Sequence, residues 1–228
     1  WRQADKYSVP RICFVNKMDR VGADFWGTVK QIVDRLGAHP LTIQLPIGRE
    51  AEFRGVIDLV ENQALIFSED AATLPTVEAV PADMVDEVAE RRHELIERVV
   101  EMDDELMTRY LDGEEISSQE LRGALRLGVV TGRLVPVLCG SALKNKGVQA
   151  LLDAVVDYLP SPLDIPLVTG MDPSTEEPLQ RTASAKEPFS ALAFKIVADP
   201  FVGKLTYIRV YSGVLPGGSY VYNSTKDS

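Results

Sequence analysis

The feature that most constrains this chain is a buried strand that runs into a polar loop and then a helix. Arg11-Ile12-Cys13-Phe14-Val15 is a short, nearly continuous apolar run, the pattern of a strand covered on both faces. It stops at Asn16-Lys17-Met18-Asp19. Beyond that loop Phe25, Trp26, Val29, Ile32, Val33 and Leu36 recur at helical spacing, and Gly37 supplies a C-terminal stop. Strand, loop and helix in that order make half of a βαβ unit. The fold class is therefore α/β, with a parallel sheet and a ligand site at the carboxyl ends of its strands.

The same pattern resumes at Leu134 to Leu138, a second buried strand, followed by Cys139-Gly140-Ser141-Ala142-Leu143 and the polar Lys144-Asn145-Lys146-Gly147. A helix follows, with Val148, Leu151, Leu152, Val155, Val156 and Leu159 on one face, and Pro160, Pro162 and Pro166 end it. The region between the two strands reads differently. Leu41 to Leu45, Phe53 to Val60 and Gln63 to Phe67 read as strands, with turns at Pro46-Ile47-Gly48 and near Asn62. The period is helical from about Pro81 to Leu111, and Ser117 with Glu120 forms a capping box that opens a further helix through about Leu127. This β-then-α block is expected to be an insertion with its own small core.

At the chain ends, Trp1 to Tyr7 reads as the tail of a helix closed before Pro10. The stretch from about Val168 to Lys186 is polar and rich in Pro, Thr and Ser, as a linker would be. Phe189 to Val197, Lys204 to Tyr211 and Ser219 to Tyr222 read as the first strands of an antiparallel barrel. The expected organisation is 1–40 and 134–165 in one α/β domain, 41–133 as the insertion, 166–187 as linker and 188–228 as an incomplete β-domain. The absence of Met ahead of Trp1-Arg2-Gln3-Ala4 leads us to expect a piece of a longer protein.

Charge excludes one class of function. The net charge of −10 argues against a broad nucleic-acid-binding surface. Most of the imbalance lies between Asp83 and Glu115, which hold thirteen carboxylates against Arg91, Arg92, Arg98 and Arg109. Such a block is either a solvated helical face or a docking surface for a basic or amphipathic protein. No apolar run approaches the ~18 residues of a membrane helix. Cys13 and Cys139 sit inside apolar runs, which fits two buried thiols in a reducing, cytoplasmic setting better than a disulfide.

Asn-Lys-x-Asp after a buried strand has a chemical logic. Guanine's edge offers two neighbouring donors, a ring N–H and the exocyclic amine, and an ionised Asp19 can accept both. Adenine cannot supply that pair. Asn16 carries an amide donor for the base's acceptor edge, and Lys17 can lay its aliphatic stem along the purine face. Met18 is expected to point into the core. In the second loop, the small Ala142 lets a backbone N–H approach the base oxygen, while the Ser141 hydroxyl ties the loop down. Either short motif alone can arise by chance; two in the same topological setting are informative. His39 beside Pro40, and His93 among Arg91, Arg92 and Glu94, have no partner at metal-ligand spacing. The sequence holds neither a nucleophile triad nor a Gly-x-x-x-x-Gly-Lys-[Ser/Thr] loop, so no catalytic residue and no phosphate cradle is assigned.

The chain resembles bacterial elongation factor G, a translational GTPase. The resemblance rests on Val9-Pro10-Arg11, Asn16 to Asp24, Gln44 to Glu50, Gly140 to Gln149, Leu159-Pro160-Ser161-Pro162, Ala193 to Ile196 and Arg209 to Gly213. It implies the C-terminal half of a P-loop-type GTPase sheet carrying an inserted α+β subdomain, then the start of a β-barrel second domain. It implies that Asn16, Lys17 and Asp19 contact the guanine of GTP or GDP, and that Ser141, Ala142 and Leu143 complete the pocket. It further implies ribosomal partners, the stalk protein for the acidic insertion and the small subunit for the second domain, in a monomeric, cytoplasmic parent. The phosphate loop, the switch segments and the ligands of Mg2+ would lie outside this chain. Rival expectations are another translational GTPase (a release factor, a ribosome-protection protein or a paralogue) and a nucleotide-independent binding fragment.

Overall fold

Asp24 and Gly37 set the ends of the first long helix, as their chemistry requires. In the computed structural model, which describes residues 1–68, 73–164, 167–172 and 175–226, a short helix α1 (Arg2–Lys6) precedes strand β1 (Cys13–Val15). Helix α2 (Phe25–Leu36) follows. The Asp24 carboxylate caps it by accepting from Gly27 N at 2.9 Å, and Gly37 closes it at φ 59°, a left-handed conformation that suits a residue without Cβ.

The single strand expected at Leu41 to Leu45 is two strands, β2 (Pro40–Thr42) and β3 (Gln44–Ile47). Ile43 between them is shared. Its N–H donates to Val137 O at 3.1 Å, in the parallel sheet, and its carbonyl accepts from Leu59 N at 3.0 Å, in the antiparallel one. One residue thus hands the chain from one sheet to the other, which a run of alternating apolar residues does not announce. Likewise Pro46 and Ile47, expected in a turn, belong to β3, and the turn comes at Gly48.

β3 begins an antiparallel meander with β4 (Gly55–Asp58), β5 (Gln63–Ile66) and β6 (Thr76–Glu78). The expected turn near Asn62 is present: Asp58 Oδ1 accepts from Val60 N and Glu61 N, and Asn62 takes φ 57°. β6, exposed at all three residues, has no apolar alternation that would have revealed it. The helical run expected from Pro81 to Leu111 is interrupted, giving α3 (Val85–Val100) and α4 (Asp104–Leu111). Asp103 makes the break by accepting from Glu105 N and Leu106 N as the N-cap of α4. Helix α5 (Ser118–Val130) opens with both halves of the capping box, Glu120 N to Ser117 Oγ and Ser117 N to Glu120 Oε2.

Strand β7 (Val135–Cys139), buried at all five residues, lies between β1 and β2 and pairs parallel with both. Helix α6 (Val148–Tyr158) follows. Arg126 of α5 donates to Asp157 O at 2.7 Å and Leu159 O at 3.1 Å, placing a cation on the carbonyl end of α6.

The insertion does not keep a core of its own. Val15, Phe25 and Leu138 of the parallel layer belong to the same buried cluster as Leu45, Phe53 and Ile57 of the meander and Leu95, Leu125 and Val129 of the helices. The hand-over at Ile43 explains the fusion, because the two sheets run on from one another and share their covered side. Each such side chain contributes roughly 1.5–3 kcal/mol by leaving water. Cys13 and Cys139 are free thiols. They lie opposite Val137 and Val15 in the register rather than opposite each other, and burial pushes both thiols up from their ordinary range.

Those elements form one unit, Trp1–Leu159; the second unit is Pro160–Ser228. Within the second, residues 168–186 are more than a linker. They hold an antiparallel hairpin of β8 (Val168–Met171) and β9 (Pro178–Arg181). β10 (Ser190–Asp199) and β11 (Gly203–Ser212) pair antiparallel around a turn in which Asp199 Oδ1 accepts from Phe201 N and Val202 N. The strand expected at Ser219 to Tyr222 does not form. Among the described residues no strand pairs with it, and Ser219 N turns back to Pro216 O at 3.2 Å.

The capping box yields a test. Glu120 is held down at about 2, first by the Ser117 hydroxyl and then by Arg109. A depressed carboxylate adds stability that is complete above its ordinary value of 4.5 and fades as pH falls towards 2. Ser117→Ala should cost about 1 kcal/mol in denaturant unfolding at neutral pH. That deficit should shrink between pH 4.5 and 2; a deficit independent of pH would contradict the reciprocal bond.

Candidate functional site

Because β1 and β7 run parallel and adjacent, the loops that leave their carboxyl ends start side by side. Val15 lies opposite Cys139, and the pairing carries on past both strands: Gly140 N donates to Val15 O at 3.0 Å and Met18 N to Gly140 O at 3.1 Å. Gly140 must be glycine. A Cβ there would stand 2.4 Å from Lys146 O and 2.6 Å from the Phe14 ring.

Asn16 joins the two loops. Its Oδ1 accepts from Lys17 N at 2.8 Å and from Ala142 N at 2.9 Å. Two donors on one atom identify it as the oxygen, which leaves the side-chain NH2 for an acceptor from elsewhere. The Ala142 N–H is thus bonded to Asn16. Lys17 takes φ 67°, and Met18 is 2% exposed and packed in the core as expected. Arg20 N closes the turn on Lys17 O at 3.1 Å.

Asp19 stands half-buried beyond this turn. The Ser141 hydroxyl, more than any other group, holds its carboxyl below the usual carboxylate range, with Arg20 and Lys144 adding positive charge. Asp19 is therefore an ionised acceptor at neutral pH and stays so into mildly acid solution. Ser141 is 1% exposed, and among the described residues its Oγ completes no well-formed hydrogen bond. The second loop is tied locally. Ser141 N donates to Lys146 O at 2.8 Å, Lys146 N returns to Ser141 O at 3.0 Å, and Asn145 takes φ 53°.

An open groove of about 800 Å³ lies over these loops, lined by Lys17, Asp19, Arg20, Val21, Leu143 and Lys144. The six residues expected from sequence thus divide by task. Lys17, Asp19 and Leu143 face the groove, while Asn16, Ser141 and Ala142 fasten its floor. The chemistry of the groove is a carboxylate acceptor, flanking cations, and exposed apolar surface at Val21 and Leu143, which suits a flat heterocycle with adjacent N–H donors.

Sequence reading missed a second set of supports. Glu50 N donates to Met18 O at 2.9 Å, Gly22 N donates to Glu50 Oε1 at 2.7 Å, and Lys146 Nζ donates to Phe53 O at 3.0 Å. All come from the β3–β4 connection and none has a local cue. His93 contacts the Tyr110 hydroxyl and Glu97 on the helical surface. Among the described residues no group of three His, Cys, Asp or Glu side chains is placed to hold a metal ion, and no helix is long and apolar enough to cross a membrane.

Residues 1–161 match the family described as the elongation factor Tu GTP binding domain, and the chain belongs to that family. Among solved structures it is similar to a crystal structure of a protein from Thermus thermophilus, with a TM-score of 0.74 and 28% sequence identity. The match takes in 96% of this chain and 30% of that one, so the chain spans under a third of the length of this relative. Membership of this family implies that the chain binds guanine nucleotide.

The loop junction is testable without nucleotide. Asn16→Ala removes the acceptor shared by two amides, so hydrogen exchange at Lys17 and Ala142 should quicken about fivefold for a bond worth about 1 kcal/mol. Asn16→Asp, which keeps the acceptor, should retain most of the protection. Equal exchange in all three proteins would remove Asn16 as the junction.

Proposed function

We propose that this chain is the guanine-reading part of an elongation factor of the G type, a GTPase that drives tRNA and mRNA through the ribosome. One observation carries the reading: the Asn16–Ala142 bond fastens two post-strand loops together beside a groove in which Asp19 is an ionised acceptor. In this reading the Asp19 carboxylate accepts from guanine's ring N–H and exocyclic amine. Charge-assisted bonds of this kind contribute roughly 1.5–3 kcal/mol each. A base lacking those donors strands a desolvated carboxylate, which rejects it by about four orders of magnitude. Lys17 lays its methylene stem on one face of the purine. The Asn16 NH2 meets the acceptor edge, and Leu143 closes the other side of the pocket.

The sequence holds no Gly-x-x-x-x-Gly-Lys-[Ser/Thr] motif. No hydrolytic step is therefore assigned to it. The acidic helices α3 and α4 of the insertion are proposed to dock the ribosomal stalk protein, supported by the carboxylates gathered between Asp83 and Glu115. The strands from β10 onward are proposed to begin the domain that meets the small subunit.

Two measurements test this. In the intact protein Asp19→Asn should move preference from GTP towards xanthosine triphosphate, because the amide donates where the carboxylate accepted; unchanged preference would show that Asp19 does not read the base. The purified 228-residue chain should hydrolyse no GTP, and turnover abolished by Asp19→Ala would overturn the assignment of hydrolysis to residues outside it.

A further inference from the structure

The connection between β3 and β4 reaches across the unit and touches both loops of the candidate site. Its shape is fixed at its start. Gly48 takes φ 75°, and a Cβ on it would stand 2.2 Å from the Glu52 carbonyl oxygen, so only glycine makes the turn. Phe53, 1% exposed, anchors the other end in the core. Between them Glu50 takes φ 54°, a left-handed conformation that costs a residue with a side chain on the order of 1 kcal/mol. Such a conformation persists where surrounding bonds hold it.

Those bonds bracket Asp19. Glu50 N donates to Met18 O at 2.9 Å, immediately before Asp19, and Gly22 N donates to Glu50 Oε1 at 2.7 Å, just after it. One residue therefore grips the base-reading loop at two points, by its backbone and by its carboxylate. Three residues on, the Phe53 carbonyl accepts from Lys146 Nζ at 3.0 Å and grips the second loop. The Asn16–Ala142 bond joins the loops to each other; the β3–β4 turn holds both against the insertion.

We propose that Glu50 is a positioning residue for guanine recognition, and that through it the insertion governs how tightly nucleotide is held. The proposal rests on the reading of Asp19 given above. Glu50 touches no nucleotide. It sets the Met18–Gly22 segment so that the Asp19 carboxylate stands where both base donors reach it. Because the turn is continuous with β3 and β4, a partner that shifts the meander shifts the Asp19 loop with it.

The test is nucleotide dissociation from the intact protein, followed by stopped flow with N-methylanthraniloyl-GDP, alongside the affinity ratio of GDP to IDP. IDP lacks the exocyclic amine, so that ratio reports whether Asp19 is in register with the base. Glu50→Ala keeps the backbone donor and the same positive-φ demand but removes the carboxylate. It should speed dissociation on the order of tenfold, the loss of one charge-assisted bond, and should narrow the GDP/IDP ratio. Glu50→Gln retains an acceptor for Gly22 N and should stay within about twofold of the parent. Lys146→Ala, which leaves the Glu50 turn intact and cuts the second grip, should also speed dissociation, and it serves if Glu50→Ala does not fold. An unchanged ratio and rate in Glu50→Ala, or a Glu50→Gln variant as impaired as Ala, overturns the proposal. Asp19→Asn is run in parallel: if it leaves base preference intact, the reading of Asp19 fails and the proposal falls with it. If Asp19→Asn shifts preference and Glu50→Ala does nothing, only the positioning role is lost.

Discussion

The rest of the structure depends on the placement of β7 between β1 and β2. All five of its residues are buried, so it tolerates neither a shift in register nor exposure of either face. Its parallel pairing with β1 makes the two chains end level, and this alone brings the Asn16 and Ser141 loops together. Its pairing with β2 fixes where the antiparallel meander begins, because the next residue, Ile43, still donates to Val137. Site and insertion are thus registered to the same strand. A change in the core near β7 is felt at the site through the backbone rather than through any contact with ligand.

The candidate site shows how a polar constellation is kept in shape with little polar burial. Its floor is fastened by backbone N–H groups donating to oxygens whose positions are set by strands, and the one shared side-chain acceptor, Asn16 Oδ1, serves two of them. The groups that face the groove are long or exposed and adapt to what enters. Glycines at 140 and 147 allow this economy. A side chain on either would meet the carbonyl of Lys146 or of Cys139 and drive the loop away from its neighbour. Precision here comes from the absence of side chains at two positions as much as from the chemistry of those present.

What could be read from sequence was local. The strand-loop-helix run at Arg11 to Leu36, the Gly37 stop and the Ser117 capping box each follow from residues within a turn of one another. That the loops after Val15 and after Cys139 lie side by side was legible because both are short and their topological setting repeats. Three kinds of feature were not legible. Ile43 looks like any residue of a strand, and only the partner strands reveal that it belongs to two sheets. Asp103 is one acid in an acidic run, so its role as a cap was hidden by its neighbours. Glu50 and Lys146 act across 28 and 93 residues, and no periodicity records such a bond. The missing strand at Ser219 to Tyr222 is the converse case, where local propensity had no partner among the described residues to pair with.

The Asn16–Ala142 bond joins residues 126 positions apart, and this has a consequence for how the protein is made. A ribosome emitting the chain at about 5–20 residues per second exposes Asn16 roughly 6–25 s before Ala142 exists. During that interval β1 has no neighbour in β7, and its apolar edge stands open. Each doubling of a closing loop costs only about 0.6 kcal/mol, and the meander and helices in between shorten the effective loop by folding on local contacts first. The residues between β2 and β7 therefore act during synthesis as a folded spacer that delivers the second strand to the first. A candidate site assembled in this order is finished late, once the β3–β4 turn that holds the Asp19 loop is already in place.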